Sequence, residues 1–212
     1  GMRTCTVCVW HVGSGEGVVG SSLSSSWCCI PHPAKAHRGG EDAVFVTPWS
    51  VGCADGVGGW AARGIDSGLY ARGLMHGCER AAMVGQGVLQ GEGEVGAATG
   101  RAQLQATLEA FAEGLNPVRL LKEGYDGVQR QHIIGSTTAC VASYLPLPSE
   151  GRGDSKAGVG TAAGTMQIAN LGDSGCMVIR DGRVVLRTVE QTHAFNFPRQ
   201  LGTGSQDTPA DA

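Results

Sequence analysis

Val51-Gly52-Cys53-Ala54-Asp55-Gly56-Val57-Gly58-Gly59-Trp60 is the stretch on which the reading of this chain turns. Four residues of strand type deliver a single carboxylate, Asp55, into a turn made almost wholly of glycine. With no side chains at Gly56, Gly58 and Gly59, the backbone carbonyls stay open to close approach. A strand-end carboxylate beside exposed carbonyls suits a hard cation such as Mg²⁺ or Mn²⁺. Taken alone, the same residues also read as an ordinary Asp-Gly turn. The upstream sequence weighs between the two. Glu41 to Thr47 is a second strand-like run, broken by Pro48, and the pair reads as a hairpin. Antiparallel pairing then brings Glu41 and Asp55 to one edge of a sheet, where two carboxylates repel unless a cation lies between them.

Composition bounds the class. A chain of 212 residues can bury a real core, and 42% apolar content suits a globular protein. Its 35 glycines, against an average of about 7% of residues, imply many turns and insertions. A net charge of −3 gives no electrostatic case for nucleic acid. No window approaches the roughly 20 apolar residues of a membrane span. The eight cysteines, at 5, 8, 28, 29, 53, 78, 140 and 176, are scattered and partly inside apolar runs. That distribution suits thiols in a reducing compartment better than a disulfide framework.

Two motifs near the start point elsewhere. Residues 15–20 spell G-x-G-x-x-G, with Glu41 or Asp42 about 20 residues on. The stretch from Gly20 to Ser26 lacks the apolar period of the helix that a dinucleotide site needs, which reduces the motif to a chance match. Cys5 and Cys8 with Cys28, Cys29 and His32 have the residue types of a zinc site. Adjacent Cys28 and Cys29, however, point to opposite sides of an extended strand. Ser24 to Ile30 reads instead as an edge strand ended by Pro31-His32-Pro33.

Downstream, Asp66-Ser67 caps a helix whose Leu69, Tyr70, Leu74, Met75, Cys78, Ala81 and Ala82 recur at core spacing. Residues 85–100 read as a glycine-rich insertion, and 102–112 as a helix. Asn116-Pro117 is a cap followed by proline at the first helical position, with Val118, Leu121, Tyr125 and Val128 on one face. Ser136 to Leu145 is β-rich, 146–164 reads as a surface loop, and Thr165 to Leu171 as the next strand. Asp173, in Gly172-Asp173-Ser174, is another strand-end acid. Cys176 to Ile179 and Arg183 to Thr188, joined by Asp181-Gly182, complete an antiparallel meander. Gln191 to Pro198 reads as irregular, and 202–212 show no core-forming pattern.

G-G-E-D-A (39–43), V-G-C-A-D-G-V-G-G-W (51–60), G-S-T-T-A (135–139) and A-N-L-G-D-S-G (169–175), in this order, resemble the metal-dependent Ser/Thr protein phosphatases of type 2C, the PPM family. A-D-G-V-G-G-W, with Gln191-Thr192-His193-x-Phe195-Asn196, resembles the branch of mitochondria and chloroplasts, which implies an intracellular protein of one of those organelles. The resemblance implies an α+β fold, a four-layer αββα sandwich of two antiparallel sheets flanked by helices. It divides the chain into an N-terminal extension (1–23), a partial phosphatase domain (24–201) and an unstructured tail (202–212). Two or more Mn²⁺ or Mg²⁺ ions and a phosphoprotein substrate are implied with it. Asp55 becomes the carboxylate bridging both metals, with Glu41 and the Gly56 carbonyl on one of them. Asp42 becomes an orienting residue behind the ligands, and Asp173 an acid near an additional metal. Arg38 is the candidate for the substrate phosphate, one residue away from the usual offset before Glu41. Val57 stands where many relatives carry a histidine proposed as general acid, a change the organelle branch shares. The distal D-G and D-N motifs of the family have no counterpart here; Asp207 and Asp211 lie in other contexts. The alternative to a phosphatase is therefore a non-catalytic or truncated relative that binds a partner.

Overall fold

The computed structural model describes residues 4–14, 21–90, 101–146 and 164–212. The chain opens with two paired strands, β1 (Thr4–Ser14) and β2 (Ser21–Ile30), followed by a 3₁₀ helix, Pro33–Arg38. The hairpin expected around Pro48 forms as β3 (Asp42–Val46) and β4 (Ser50–Gly56). Thr47 ties its turn, its hydroxyl accepting from the Ser50 N–H at 2.9 Å. A second 3₁₀ helix, Gly58–Arg63, leads to α1 (Ser67–Gln90), then α2 (Arg101–Gly114) and α3 (Pro117–Arg130). Next come β5 (Ser136–Pro146), β6 (Gly164–Leu171), β7 (Met177–Arg180) and β8 (Arg183–Arg187). Three short strands follow: β9 (Thr192–Ala194), β10 (Phe197–Pro198) and β11 (Leu201–Gly202).

One antiparallel sheet organises these elements. Its order runs β3, β4, β5, and both β6 and β11 pair with the far edge of β5, at successive stretches of that strand. The two-residue period of the strands sorts their side chains. Ala43, Phe45, Ala54, Ala139 and Val141 face α1 and α3, where Tyr70, Leu74, Met75, Cys78, Leu120, Leu121 and Val128 complete the main core. The opposite face carries Val51, Ala142 and Tyr144, which meet Leu23 of β2 in a smaller cluster. Trp49 joins the two clusters, edge-on to Phe111 at 5.4 Å and stacked on Tyr144 at 6.4 Å. Helices on one face of an antiparallel sheet and hairpin strands on the other make an α+β architecture.

Helix α1 approaches its neighbours through glycine. A Cβ at Gly77 would lie 2.6 Å from the Gly124 Cα, and one at Gly85 would lie 2.4 Å from the Gly114 carbonyl oxygen. This corrects only the start of the insertion expected over 85–100, whose residues 91–100 lie outside the described residues. Gly85 belongs to α1, which runs on to Gln90, and its glycine serves close helix packing rather than a loop. The expected unstructured tail is also corrected. Asp207 and Pro209 are buried, Thr208 and Asp211 form a capping box on a 3₁₀ helix (Pro209–Asp211), and Ala212 packs against the main core. Residues 4–14, expected to be of uncertain structure, form β1. The meander divides: β6 joins the main sheet, whereas among the described residues β7 and β8 pair only with each other. The G-x-G-x-x-G run and residues 147–163 of the expected surface loop lie outside the described residues.

Candidate active site

The register of β3 against β4 sets Asp42 directly opposite Asp55, and β5 sets Thr138 opposite Asp55 on the other side. All three lie on the face away from the helices, because their neighbours Ala43, Ala54 and Ala139 are in the helix-facing core. Directly opposed residues hold their Cβ atoms about 5 Å apart, and like charges in that relation are destabilising. Two carboxylates in one row at the end of a sheet therefore call for a cation. The sequence reading paired Glu41 with Asp55; the residue sharing Asp55's face is Asp42.

Glu41 sits one step further on. Its carbonyl accepts the Gly56 N–H at 3.0 Å, which pins the strand end, and its side chain is buried. Gly56 is required at this contact: a Cβ there would lie 2.7 Å from the Glu41 carbonyl oxygen and 2.8 Å from that of Ser67. Lys35, on the first 3₁₀ helix, donates to Glu41 Oε2. Arg38 is exposed at the end of the same helix. Lys35 was missed from the sequence, where attention went to the arginine nearer the acid pair. A lysine six residues ahead of Glu41 carries no local signal; only the 3₁₀ turn folds it back.

Asp173 is exposed in the turn after β6, whose last residue, Leu171, pairs with Ala139. Its neighbour Ser174 exchanges a 2.6 Å hydroxyl hydrogen bond with Thr138, which places the turn at the same sheet end as Asp55. Behind the acid row, Cys53 pairs across the strands with Cys140. Burial, then the nearby Cys176 and Asp42, push the Cys53 thiol up to about 11, and Asp55 adds to the effect. These thiols are protonated at neutral pH, which makes them inert rather than nucleophilic.

Beyond Gly56 the chain builds a polar wall. The Val57 N–H donates to the Ser136 carbonyl at 2.9 Å, the Trp60 indole N–H to the Ser136 hydroxyl at 2.6 Å, and that hydroxyl to Gln200. Trp60, Ser136, Phe197, Gln200, His193 and Asp207 line a cleft of about 510 Å³. His193 Nε2 lies 2.8 Å from Asp207 Oδ2. Burial works to raise the Asp207 pKa, but the Gln200 N–H and His193 outweigh it and hold the carboxyl below the usual carboxylate range.

The donors at the acid row are oxygens, the chemistry of Mg²⁺ or Mn²⁺ rather than of a soft metal. Among the described residues no three His, Cys, Asp or Glu side chains converge as a metal cage. Oxygen donors of this kind suit an ion that keeps much of its water, as Mg²⁺ does. Among the described residues no helix is long and apolar enough to cross a membrane.

An antiparallel sheet backed by helices, with acids at one end, defines an α+β protein. Comparison with known proteins narrows the class. No family model matches the chain. It is 35% identical over 184 residues to the probable protein phosphatase 2C 55 of Arabidopsis thaliana, covering 86% of this chain and 30% of that protein. It is 39% identical over 171 residues to the protein phosphatase PTC7 homolog fig of Drosophila willistoni, covering 78% of this chain and 42% of that one. The photosystem II phosphatase PBCP superposes with a TM-score of 0.57 at 24% identity, over 99% of this chain and 59% of that structure. Over most of its own length the chain is similar to PPM-type, type 2C phosphatases. It spans less than half the length of the curated relatives it matches.

Proposed function

We propose that this chain carries part of the centre of a metal-dependent protein serine/threonine phosphatase. The reading rests on one observation: the β3–β4 register that stacks Asp42 on Asp55 beside buried Glu41. Asp55, Glu41 and the Gly56 carbonyl would hold the divalent ions, with Asp42 orienting them and Asp173 serving an additional position. Bound there, the ions supply a water made acidic enough to lose its proton near neutral pH and charge to offset the phosphoryl oxygens. The chain's own part is placement. The Gly56–Glu41 hydrogen bond holds the two ligand strands in register, and the glycines after Asp55 leave room for a phosphoryl group. The likeness to type 2C relatives supports phosphoserine and phosphothreonine in proteins as substrates, and the A-D-G-V-G-G-W pattern supports a mitochondrial or chloroplast setting.

The protein should hydrolyse a phosphothreonine peptide only with Mn²⁺ or Mg²⁺ present. Asp55→Asn should lower turnover on the order of a thousandfold. Full activity in excess chelator, or an Asp55→Asn variant as active as the parent, would sink the reading. A second reading, a phosphatase-like module that binds without catalysis, is favoured by the lack of a third converging side chain among the described residues. It predicts partner binding that survives Asp55→Asn.

A further inference from the structure

Glu41 is an almost fully buried carboxylate, its side chain 2% exposed, and Lys35, 18% exposed, is a cation that meets it. The encounter is built into the backbone. The His32 imidazole caps the 3₁₀ helix by accepting the Ala34 N–H at 3.2 Å, and the Gly40 N–H returns to the Lys35 carbonyl at 3.2 Å. Gly39 and Gly40 both turn at φ 82°, and Arg72 donates to the Gly40 carbonyl at 3.2 Å. The loop is thus tied at both ends with its ammonium over the carboxylate that the proposed function gives to a metal.

A lysine and a divalent ion on one small carboxylate repel each other. Arriving metal therefore competes with Lys35 for Glu41. Lysine yields readily, because its charge rides on a flexible four-carbon stem with rotatable donors. Once displaced it sits partly exposed beside the metal-occupied acid row, within reach of a phosphoryl dianion bound there. Resting on that metal-centre reading, we propose that Lys35 is a shared cation: it neutralises Glu41 until metal takes the carboxylate, and it then binds the phosphoryl oxygens of the substrate.

Calorimetric titration of the 212-residue chain with Mn²⁺ tests the exchange without reference to turnover. Lys35→Met should tighten Mn²⁺ binding by about fivefold or more, the scale of one ion pair removed from competition for the carboxylate. Lys35→Arg, which grips a carboxylate through two N–H groups, should weaken it. A phosphonate analogue of a phosphothreonine peptide, followed by fluorescence polarisation at saturating Mn²⁺, should bind Lys35→Met about tenfold more weakly than the parent. Circular dichroism checks that each variant is folded, and the arginine variant keeps the test open should the methionine variant not fold. Mn²⁺ affinity that is unchanged or weaker in Lys35→Met, or unweakened in Lys35→Arg, overturns the proposal, as does unchanged phosphonate binding. A parent chain that takes up no Mn²⁺ at all would sink the metal centre itself, a result distinct from normal uptake that ignores Lys35.

Discussion

At the scale of single residues, the site depends on contacts with little tolerance. Gly56→Ala would press a methyl against two backbone oxygens, at 2.7 and 2.8 Å, which no side-chain rotation relieves. The variant should lose about 1–3 kcal/mol in urea unfolding, with the β3–β4 amides less protected from hydrogen exchange. Asp207 gives a pH signature. Its folded pKa is depressed, so its contribution is present above the unfolded carboxylate value, about 3.9, and is lost as pH falls through the folded value. Asp207→Asn should therefore lower the urea midpoint at pH 7 and flatten its decline below about pH 4. An acid limb as steep as the parent's would show that another carboxylate governs it.

Among elements, α1 packs closely on α3. A Cβ on Gly124 would sit 2.6 Å from the Leu74 carbonyl oxygen and 2.8 Å from Cys78 Sγ. Gly124→Ala should cost about 1–3 kcal/mol despite alanine's better helix propensity, measured as a lowered midpoint. Asn116→Ala removes a cap whose oxygen accepts from Val118 and Arg119 at 3.0 and 3.2 Å, and should cost about 1 kcal/mol. That cap was legible, because Asn-Pro before an apolar period is a local signal. The Asp181-Gly182 turn was legible too: both residues have positive φ, as a two-residue hairpin requires. Gly85 was not, since a glycine needed by a distant backbone looks the same in sequence as one in a loop. Likewise the tail hid its order: Asp207 is fixed by the Gln200 N–H and His193, partners that no periodicity announces. Of the acid row, the sequence showed which strands meet, but the two-residue period on which Asp42 rather than Glu41 shares Asp55's face required the register.

For the whole molecule, burial is uneven. The main sheet buries Phe45, Ala54, Ala139 and Val141 under the helices, whereas the separate β7–β8 pair exposes Met177, Ile179, Val184, Val185 and Leu186. Such apolar strands favour self-association, and sedimentation velocity should show it rising with concentration and diminished by Ile179→Lys with Val184→Glu. Unchanged sedimentation in that double variant would place the sticky surface elsewhere. The far edge of β5 holds a different lesson. Leu171 pairs with Ala139 and Leu201 with Thr137, so the chain departs and returns within one side chain's width of the same strand. Everything between is a detour whose two ends are already clamped. Lengthening such a detour costs only about 0.6 kcal/mol per doubling, and the ladder on either side need not move. Within the detour, the β7–β8 hairpin, residues 177–187, is thus where a lineage could exchange one surface for another over an unaltered sheet, giving descendants new targets while their strand pairing, and the acids it aligns, stayed as they were.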